Sequence, residues 1–294
     1  MIEEVIVSTL ILGGLYALLS MGFALIRGVA RIMNFAHGAL YMLTAYFIIS
    51  FSGYFIAPLG PIGLEVAIVA SAIAIVIVTL ILYRLFIGPM REKEAEASLV
   101  TLALALIFQE AVKLVWGPEF KSVPYLVSGY TTIIGVRVVN QKLLALVAAS
   151  VVFMILWLFV TKTKQGKGVR AVAQNMEVAR LIGVNVRRVF MITMAISALL
   201  AGLAAVFFAP LNVIAPTEWT ILFQAFPVLV LGGLGNLKGA FVASFVIALI
   251  EKVVEFYIAG GYAMEIVTFF IMAAILFVRP AGLFGKKTEG VTGF

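Results

Sequence analysis

The chain alternates between long apolar segments and short polar breaks, and this pattern predicts membrane-spanning helices. A run of about 20 apolar residues is long enough to cross the hydrocarbon core of a bilayer. Nine candidate spans follow, at about 5–26, 36–52, 62–84, 97–116, 143–160, 189–210, 223–236, 239–258 and 262–278. The predicted fold is an all-α integral membrane protein, a polytopic bundle of eight or nine transmembrane helices in a single domain over residues 1–294.

One of these segments, 223–236, is too short to cross a bilayer comfortably. It contains Pro227 and ends in the glycine-rich stretch GGLGN. Proline and glycine are tolerated at membrane depth where the freed backbone is satisfied by protein or lines a cavity. We therefore expect one or two broken or re-entrant segments, and eight crossings instead of nine if this segment does not cross.

Composition supports the membrane assignment, and the basic residues supply an orientation. The 294 residues are 64% hydrophobic and only 12% charged, whereas a soluble domain is about a quarter charged. Most of the 21 lysines and arginines fall on one side if the N-terminus is outside. The positive-inside rule therefore predicts an outer N-terminus and an inner C-terminus, and it explains the net charge of +7 without a nucleic-acid partner. Because Glu3 and Glu4 replace the basic start of a signal peptide, the first apolar run is expected to remain as a span.

Two connections are long enough to carry structure of their own. The extracytoplasmic loop 117–141 contains YTTIIGVRVVN, which alternates loosely and predicts a short hairpin. In the cytoplasmic loop 161–188, Asn175 is placed to cap a helix and Gly183 to end it in a left-handed conformation. A helix of about two turns is predicted over roughly 176–182, with Asn185 capping the next span. Such a short helix needs a surface to dock on, either the membrane or a cytoplasmic partner.

Several kinds of chemistry are excluded by the residues present. The chain has no cysteine, no aspartate and a single histidine, so it cannot form a thiolate centre, a Ser-His-Asp triad or a metal site built from several histidines. No phosphate-binding loop of the form G-x-x-x-x-G-K-[ST] occurs. Few acids fall within spans, and Glu251, Glu255 and Glu265 lie towards outer helix ends, where exposure or snorkelling is at least as expected as function.

Four stretches of the chain resemble the permeases of branched-chain amino acid ABC transporters, the LivH-like family. They are RIMNFAHGALYMLTAY, GKGVRAVAQNMEVARLIGVN, VLGGLGNLKGA and VRPAGLFG, and they extend nearly from end to end. The resemblance implies a permease domain in the cytoplasmic (inner) membrane that works with a second, homologous permease, two cytoplasmic ATPases and an extracytoplasmic substrate-binding protein. It also implies no cofactor in this chain, because ATP and magnesium belong to the ATPase subunits.

By the same resemblance, the short helix in the loop 161–188 is a coupling helix that sits in a cleft of an ATPase subunit. This explains why nucleotide chemistry is missing from the chain. The residues assigned to coupling are Gly168, Arg170, Ala171, Ala173, Asn175, Glu177, Ala179, Arg180 and Gly183.

Two breaks supply a candidate substrate pathway. Asn34 is expected to cap a helix that starts near Phe35, and a helix N-terminus at membrane depth suits a carboxylate. For His37, a hydrogen bond that holds two helices together is favoured over substrate contact. The likeness of NFAHGA to NLKGA suggests a degenerate internal repeat. The residues assigned to the pathway are Asn34, His37, Gly38, Pro227, Gly232, Gly233, Gly235 and Asn236.

Three classes of function remain open from the residues. The first is an ATP-driven importer of branched-chain or related small amino acids. The second is an ion-coupled secondary carrier of amino acids or urea without ATPase partners, and the third is a membrane-embedded enzyme or scaffold. Ala39 stands where the family often has glutamate, so substrate preference stays open.

Overall fold

The computed structural model describes residues 2–90, 93–133, 135–257, 262–278, 282 and 284, and nearly all of them are helical. The described α-helices are α1 (Ile2–Ala30), α2 (Ala36–Leu59), α3 (Gly63–Leu82), α4 (Glu94–Trp116), α5 (Asn140–Lys162), α6 (Lys164–Gln174), α7 (Met176–Leu181), α8 (Val186–Phe208), α9 (Ile221–Gly232), α10 (Leu237–Tyr257) and α11 (Tyr262–Val278). The described strands are β1 (Lys121–Ser122), β2 (Tyr130–Ile133), β3 (Val136–Val139) and β4 (Val213–Ile214). The closing VRPAGLFG stretch lies mostly outside the described residues.

Every one of the nine predicted spans coincides with a helix. Six described helices are long and apolar enough to cross a membrane: Ile2–Ala30, Ala36–Leu59, Gly63–Met90, Glu94–Trp116, Asn140–Lys162 and Val186–Leu211. Helices α9 and α11 have 12 and 17 residues, fewer than the about 20 that a full crossing needs. Helix α10 has 21 residues and carries four charged side chains. The chain is a helical multi-pass membrane protein.

Helix α1 forms the centre of the bundle. Its most apolar stretch is 83% buried, and it packs against α5, α8, α9 and α10. Small residues four positions apart are buried in two of these helices: Ser20 and Ala24 of α1 are fully buried, and so are Ser197 and Ala201 of α8. Small side chains let helix backbones approach closely, and close packing is how helices associate in membranes.

Helix α3 shows how the outer helices divide between protein and lipid. Its buried positions recur every four residues at Ala67, Ser71, Ile75 and Thr79. Its exposed positions recur at Val69, Ile73, Ile77 and Ile81, which are 51–58% exposed. One face therefore packs on the bundle, while the opposite face is aliphatic and open, as contact with hydrocarbon tails requires.

The loop 117–141 contains the predicted hairpin. Strands β2 and β3 pair antiparallel with Tyr130 opposite Val139, and the Arg137 guanidinium lies 4.5 Å from the centre of the Tyr130 ring. A second pairing, β1 with β4, was not predicted. Because β4 follows α8, this pairing joins the loop to the connection that leads into α9.

Candidate functional site

Helix α7 is the short helix that the sequence predicted in the loop 161–188. Asn175 begins it: the side-chain oxygen accepts hydrogen bonds from the backbone N–H groups of Glu177 and Val178, each at 3.0 Å. Two of the N–H groups that a helix start leaves without intrahelical partners are thereby satisfied. The predicted cap is therefore present, and a helix of only six residues is held at its first turn.

The C-terminal end of α7 is closed by a Schellman motif. Gly183 has a φ of 84°, and its N–H donates to the carbonyl of Arg180 at 3.0 Å. The N–H of Val184 donates to the carbonyl of Ala179, also at 3.0 Å. Both bonds are those that define the motif, and glycine favours the left-handed conformation that it needs. Asn185 then accepts from the N–H of Arg188 at 3.0 Å and caps α8, as predicted.

Helix α6 precedes α7 and was not predicted. Thr163 caps it by accepting from the N–H of Gly166 at 2.9 Å. Val169 and Val172 are buried, so α6 lies along the protein with an apolar face. The two glycines in KQGKGVRAVAQ have low helix propensity, which hid the helix from local analysis.

The residues assigned to coupling lie on two faces of this module. Ala179 is 1% exposed, and a Cβ on Gly168 would contact Val189 of α8 at 3.4 Å, so these two positions face the protein. Ala171 and Ala173 are half-buried, and Arg170, Asn175, Glu177, Arg180 and Gly183 are exposed. The exposed apolar residues at α7 are Val178, Leu181 and Ile182, at 51%, 86% and 69%. Sequence analysis did not single out these three residues.

The first break separates α1 from α2 at residues 31–35, and α4 supplies its hydrogen bonds. The N–H of Met33 donates to the hydroxyl of Ser98 at 3.1 Å. The N–H of Phe35 donates to the hydroxyl of Thr101 at 3.0 Å. A neighbouring helix therefore satisfies backbone groups that the break frees, which is the condition for irregular backbone inside a membrane.

Asn34 does not cap α2, so that prediction is wrong. Helix α2 begins at Ala36, and no side chain caps it. Asn34 is 2% exposed, and its Oδ1 has no hydrogen-bond partner among the residues that the structure describes. The Thr101 hydroxyl accepts a hydrogen bond from the N–H of Phe35, next to the start of α2. The Asn34 side chain remains buried in the interior.

His37 is fully buried and joins three helices. Its Nε2 lies 3.0 Å from the carbonyl oxygen of Leu19 on α1, and its Nδ1 lies 3.1 Å from the hydroxyl of Ser197 on α8. Because a carbonyl can only accept, Nε2 carries a proton. Gly22 leaves room for the ring, since a Cβ there would lie 2.6 Å from His37 Cε1. This geometry supports the structural role over direct substrate contact.

The contacts of His37 also place the start of α2 along the bundle. Leu19 and Gly22 lie well before the end of α1 at Ala30. With a rise of 1.5 Å per residue, Gly22 is about 12 Å from that end. Helix α2 therefore starts inside the bundle beside the middle part of α1. Gly38 there lies so close to the carbonyl of Trp219 that a Cβ would collide with it.

The second break is the turn between α9 and α10. The Asn236 side-chain oxygen accepts from the N–H of Gly239 at 3.1 Å and caps α10. Gly232 and Gly239 touch so closely that a Cβ on either would collide with the backbone of the other. Gly233 and Gly235 have φ values of 90° and 85°, which glycine adopts without strain. The turn thus folds α9 back against α10.

The two breaks approach each other through glycine. A Cβ on Gly28 of α1 would lie 2.9 Å from the carbonyl oxygen of Gly235. A Cβ on Gly235 would lie 2.6 Å from the Cα of Gly28. The end of α1, which leads into the first break, therefore contacts the turn between α9 and α10. Gly38 contacts the opposite end of α9 through Trp219, so the residues assigned to the pathway do not form a single cluster.

A buried carboxylate lies further along α10, and the expectation of exposure or snorkelling is wrong for it. Glu251 of α10 is 3% exposed. Its Oε2 accepts from the Tyr16 hydroxyl at 2.7 Å, and its Oε1 accepts from the Thr268 hydroxyl at 3.2 Å. Glu255, one turn further, is exposed and pairs with Lys252, while the side chain of Glu265 lies outside the described part. The sequence did contain a signal for this residue, because an acid within an apolar helix is a candidate functional residue.

Glu251 lines a cavity of about 180 Å³ between α9, α10 and α11. The residues around it are Thr220, Phe223, Gln224, Pro227, Glu251, Thr268 and Phe269. Pro227 is the one residue of the predicted pathway among them. A larger cavity of about 610 Å³ lies near Arg84 and Arg187, and none of the predicted pathway residues lines it. Within the described part of the chain, no cluster of histidine and acidic residues could hold a metal ion.

Comparison with known proteins identifies the family. Residues 5–278 match the family described as "Branched-chain amino acid transport system / permease component". The LivH permease of Escherichia coli K12 is 27% identical over 290 residues, covering 94% of this chain and 92% of the relative. The BraD permease of Pseudomonas aeruginosa is 28% identical over 294 residues, covering 96% and 95%. A probable LivH permease of Methanocaldococcus jannaschii is 25% identical over 306 residues, covering 96% and 92%. The chain belongs to the family of permease components of branched-chain amino acid transport systems.

Proposed function

We propose that this chain is the membrane subunit of an ATP-driven importer of branched-chain or related small amino acids. It works with a second, homologous permease, two cytoplasmic ATPase subunits and an extracytoplasmic binding protein, and it lies in the cytoplasmic membrane. The names of the similar proteins support the transport class and the substrate class. The distribution of basic residues supports an outer N-terminus and an inner C-terminus.

The topology follows from the same distribution. With an outer N-terminus, an odd number of crossings brings the C-terminus inside, and nine helices correspond to the nine predicted spans. Helix α9 supplies only 12 residues, about 18 Å of rise. We infer that the irregular residues before α9 complete its crossing, so this segment is a broken helix within a nine-crossing bundle.

The exposed apolar face at α7 is the observation that carries the proposal. An isolated helix of six residues is unstable in water, yet α7 is capped at both ends and anchored by buried Ala179. Its exposed Val178, Leu181 and Ile182 form an apolar surface, with Arg180 among them. Apolar surface rimmed by polar residues marks a site of protein contact. An ATPase cleft is the partner that matches a chain whose sequence contains no phosphate-binding loop of the form G-x-x-x-x-G-K-[ST].

The contacts around α7 give a route for force from an ATPase to the membrane. Only residues 182–185 separate α7 from α8, and the backbone bond between Val184 and Ala179 ties this link to the helix. Helix α8 carries Ser197, whose hydroxyl lies 3.0 Å from the carbonyl of Gly22 and 3.1 Å from His37. A movement of α7 therefore reaches the start of α2 through one helix.

The test is ATP-driven uptake of radiolabelled leucine by the complete complex in proteoliposomes. Leu181→Arg should lower both uptake and the ATPase activity stimulated by binding protein at least tenfold, because a charge replaces the most exposed apolar residue of α7. Gln174→Arg is the matched control, since it adds the same charge at an exposed position of α6. Wild-type uptake in Leu181→Arg complexes, or equal losses in both variants, would contradict docking at α7.

The ion-coupled carrier is the rival function, and the buried Glu251 is the observation that favours it. A carrier would accumulate leucine in vesicles that contain this chain alone, driven by a proton or sodium gradient. We expect no such accumulation without ATPase subunits and ATP. Accumulation under these conditions would overturn the proposed function.

A further inference from the structure

We propose that Glu251 binds the ammonium group of the transported amino acid, in the cavity between α9, α10 and α11. Tyr16 and Thr268 orient the carboxylate, and the aromatic residues of the cavity accept the aliphatic side chain. This inference rests on the proposed function for its substrate class. Beyond that function, it names the binding cavity and the carboxylate that contacts the ammonium group.

The hydrogen bonds around Glu251 suit an ionised carboxylate. The Tyr16 and Thr268 hydroxyls donate to different oxygens of the carboxylate, at 2.7 and 3.2 Å. An ionised carboxylate only accepts hydrogen bonds, so its chemistry matches a group that only donates. An ammonium group carries three donors and a positive charge. Charge-assisted hydrogen bonds of this kind are about twice as strong as neutral ones.

The other walls of the cavity match the rest of a small aliphatic amino acid. Phe223, Phe269 and Pro227 present apolar surface, and the Gln224 amide provides donors for a carboxylate. The volume of about 180 Å³ lies below the range of about 300–1,000 Å³ that is typical of sites for drug-sized ligands. Small-molecule sites combine apolar surface with a small number of placed polar groups, and here three apolar and four polar residues line the cavity.

The cavity also lies at a suitable depth. Tyr16 stands near the middle of the 29-residue helix α1, and its bond to Glu251 places the carboxylate at the same level. Substrate sites of transporters lie near the middle of the bilayer, often beside broken helices. Helix α9, which contributes Phe223, Gln224 and Pro227, is the short helix that follows an irregular segment.

The test is binding of radiolabelled leucine to the purified permease–ATPase complex, without binding protein and without ATP. Two competitors separate the polar groups of leucine: 3-methylbutylamine keeps the ammonium group, and 4-methylpentanoate keeps the carboxylate. In the wild type both should compete. Glu251→Gln should lower leucine affinity about tenfold or more and abolish competition by the amine, while competition by the acid persists. Glu255→Gln, at an exposed position one turn further along α10, is the matched control and should behave as wild type.

Tyr16→Phe keeps the proposal testable if the Glu251→Gln complex does not assemble. This variant removes one donor and retains the carboxylate, so we expect several-fold weaker leucine binding with amine competition preserved. Unchanged leucine binding in Glu251→Gln, persistent amine competition in that variant, or no leucine binding by the wild type at millimolar concentration would each overturn the proposal. Because the assay uses no ATP, failure of ATP-driven uptake with an intact binding pattern would refute the proposed function and leave the site standing.

Discussion

The two breaks, NFAHGA at residues 34–39 and NLKGA at residues 236–240, look alike in sequence but are stabilised differently. In the second break, Asn236 caps α10 by accepting from the N–H of Gly239 at 3.1 Å. In the first break, the Asn34 side-chain oxygen has no partner among the described residues. The hydroxyl of Thr101, on α4, instead accepts a hydrogen bond from the N–H of Phe35, next to the start of α2. One break is therefore capped by its own sequence, and the other depends on a neighbour.

The two breaks also differ in length and in the bond that the third N–H after asparagine makes. Glycine follows asparagine by three positions in NLKGA and by four in NFAHGA. A capping side chain reaches the second or third N–H of its helix, and in the second break that N–H belongs to Gly239. In the first break the additional position holds His37, whose N–H donates to the backbone carbonyl of Asn34 at 3.0 Å. The likeness in sequence thus does not extend to the structural role of asparagine, which weakens the hypothesis of an internal repeat.

The largest effect is expected where the two breaks meet. Gly235→Val places a β-branched side chain at a φ of 85°. A Cβ at this position would lie only 2.6 Å from the Cα of Gly28. Left-handed backbone and overpacking together should cost about 3 kcal/mol or more. Thermal unfolding of the purified protein and its yield measure this loss. Gly53→Val is the control, because a Cβ there has no atom within 4 Å among the described residues.

The second-largest effect is expected at His37, which precedes Gly38 in the first break. The comparison is with Lys238, which precedes Gly239 in the second break. His37→Ala removes a fully buried ring and leaves the Leu19 carbonyl and the Ser197 hydroxyl without this partner. We expect a loss of about 3 kcal/mol in the free energy of unfolding. Lys238→Ala, at an exposed position where the ammonium lies 5.4 Å from the centre of the Trp157 ring, should cost no more than about 1 kcal/mol. If both variants lost the same free energy of unfolding, His37 would not have the structural role that its contacts indicate.

These contrasts show what could be predicted from sequence. The helix α7 and its caps at Asn175, Gly183 and Asn185 were predicted correctly, because capping acts between residues that are close along the chain. The hairpin of β2 and β3 was predicted for the same reason. All nine apolar segments were found as helices, since length and hydropathy are local properties as well.

Apart from α6, whose glycines hid a local signal, the incorrect or missing predictions depend on contacts between distant segments. The hydroxyl of Thr101 bonds to a residue 66 positions earlier, and the hydroxyl of Tyr16 reaches Glu251 over 235 positions. No local pattern reports such a partner. For Glu251, sequence alone could give an acid near a helix end, whereas burial between α1, α10 and α11 is a property of the bundle.

A smaller loss is expected from the cap of the second break. Asn236→Ala removes the acceptor of the Gly239 N–H and also the donor to the Phe284 carbonyl at 2.8 Å. Loss of the cap alone costs about 1 kcal/mol. The turn itself should persist, because Gly233 and Gly235 retain their conformations. Unfolding in increasing denaturant measures the difference from wild type. Asn236→Ser restores a capping oxygen but not the bond to Phe284, so it should recover about 1 kcal/mol of the loss. Failure of serine to restore stability would argue against capping as the role of Asn236.

The smallest effect is expected at Asn34, the asparagine of the first break that corresponds to Asn236. Its removal should not destabilise the protein. Asn34→Leu replaces a buried amide whose oxygen has no protein partner in the described part of the chain with an apolar side chain of similar size. Removing a buried polar atom that makes no hydrogen bond is neutral or slightly stabilising, so we expect a change within about 0.5 kcal/mol. The same denaturant experiment used for Asn236 measures it. A loss above about 1 kcal/mol would reveal a partner for the Asn34 oxygen, such as an ordered water. Normal stability with reduced leucine uptake would instead support the assignment of Asn34 to the substrate pathway, because a purely structural side chain would not change uptake alone.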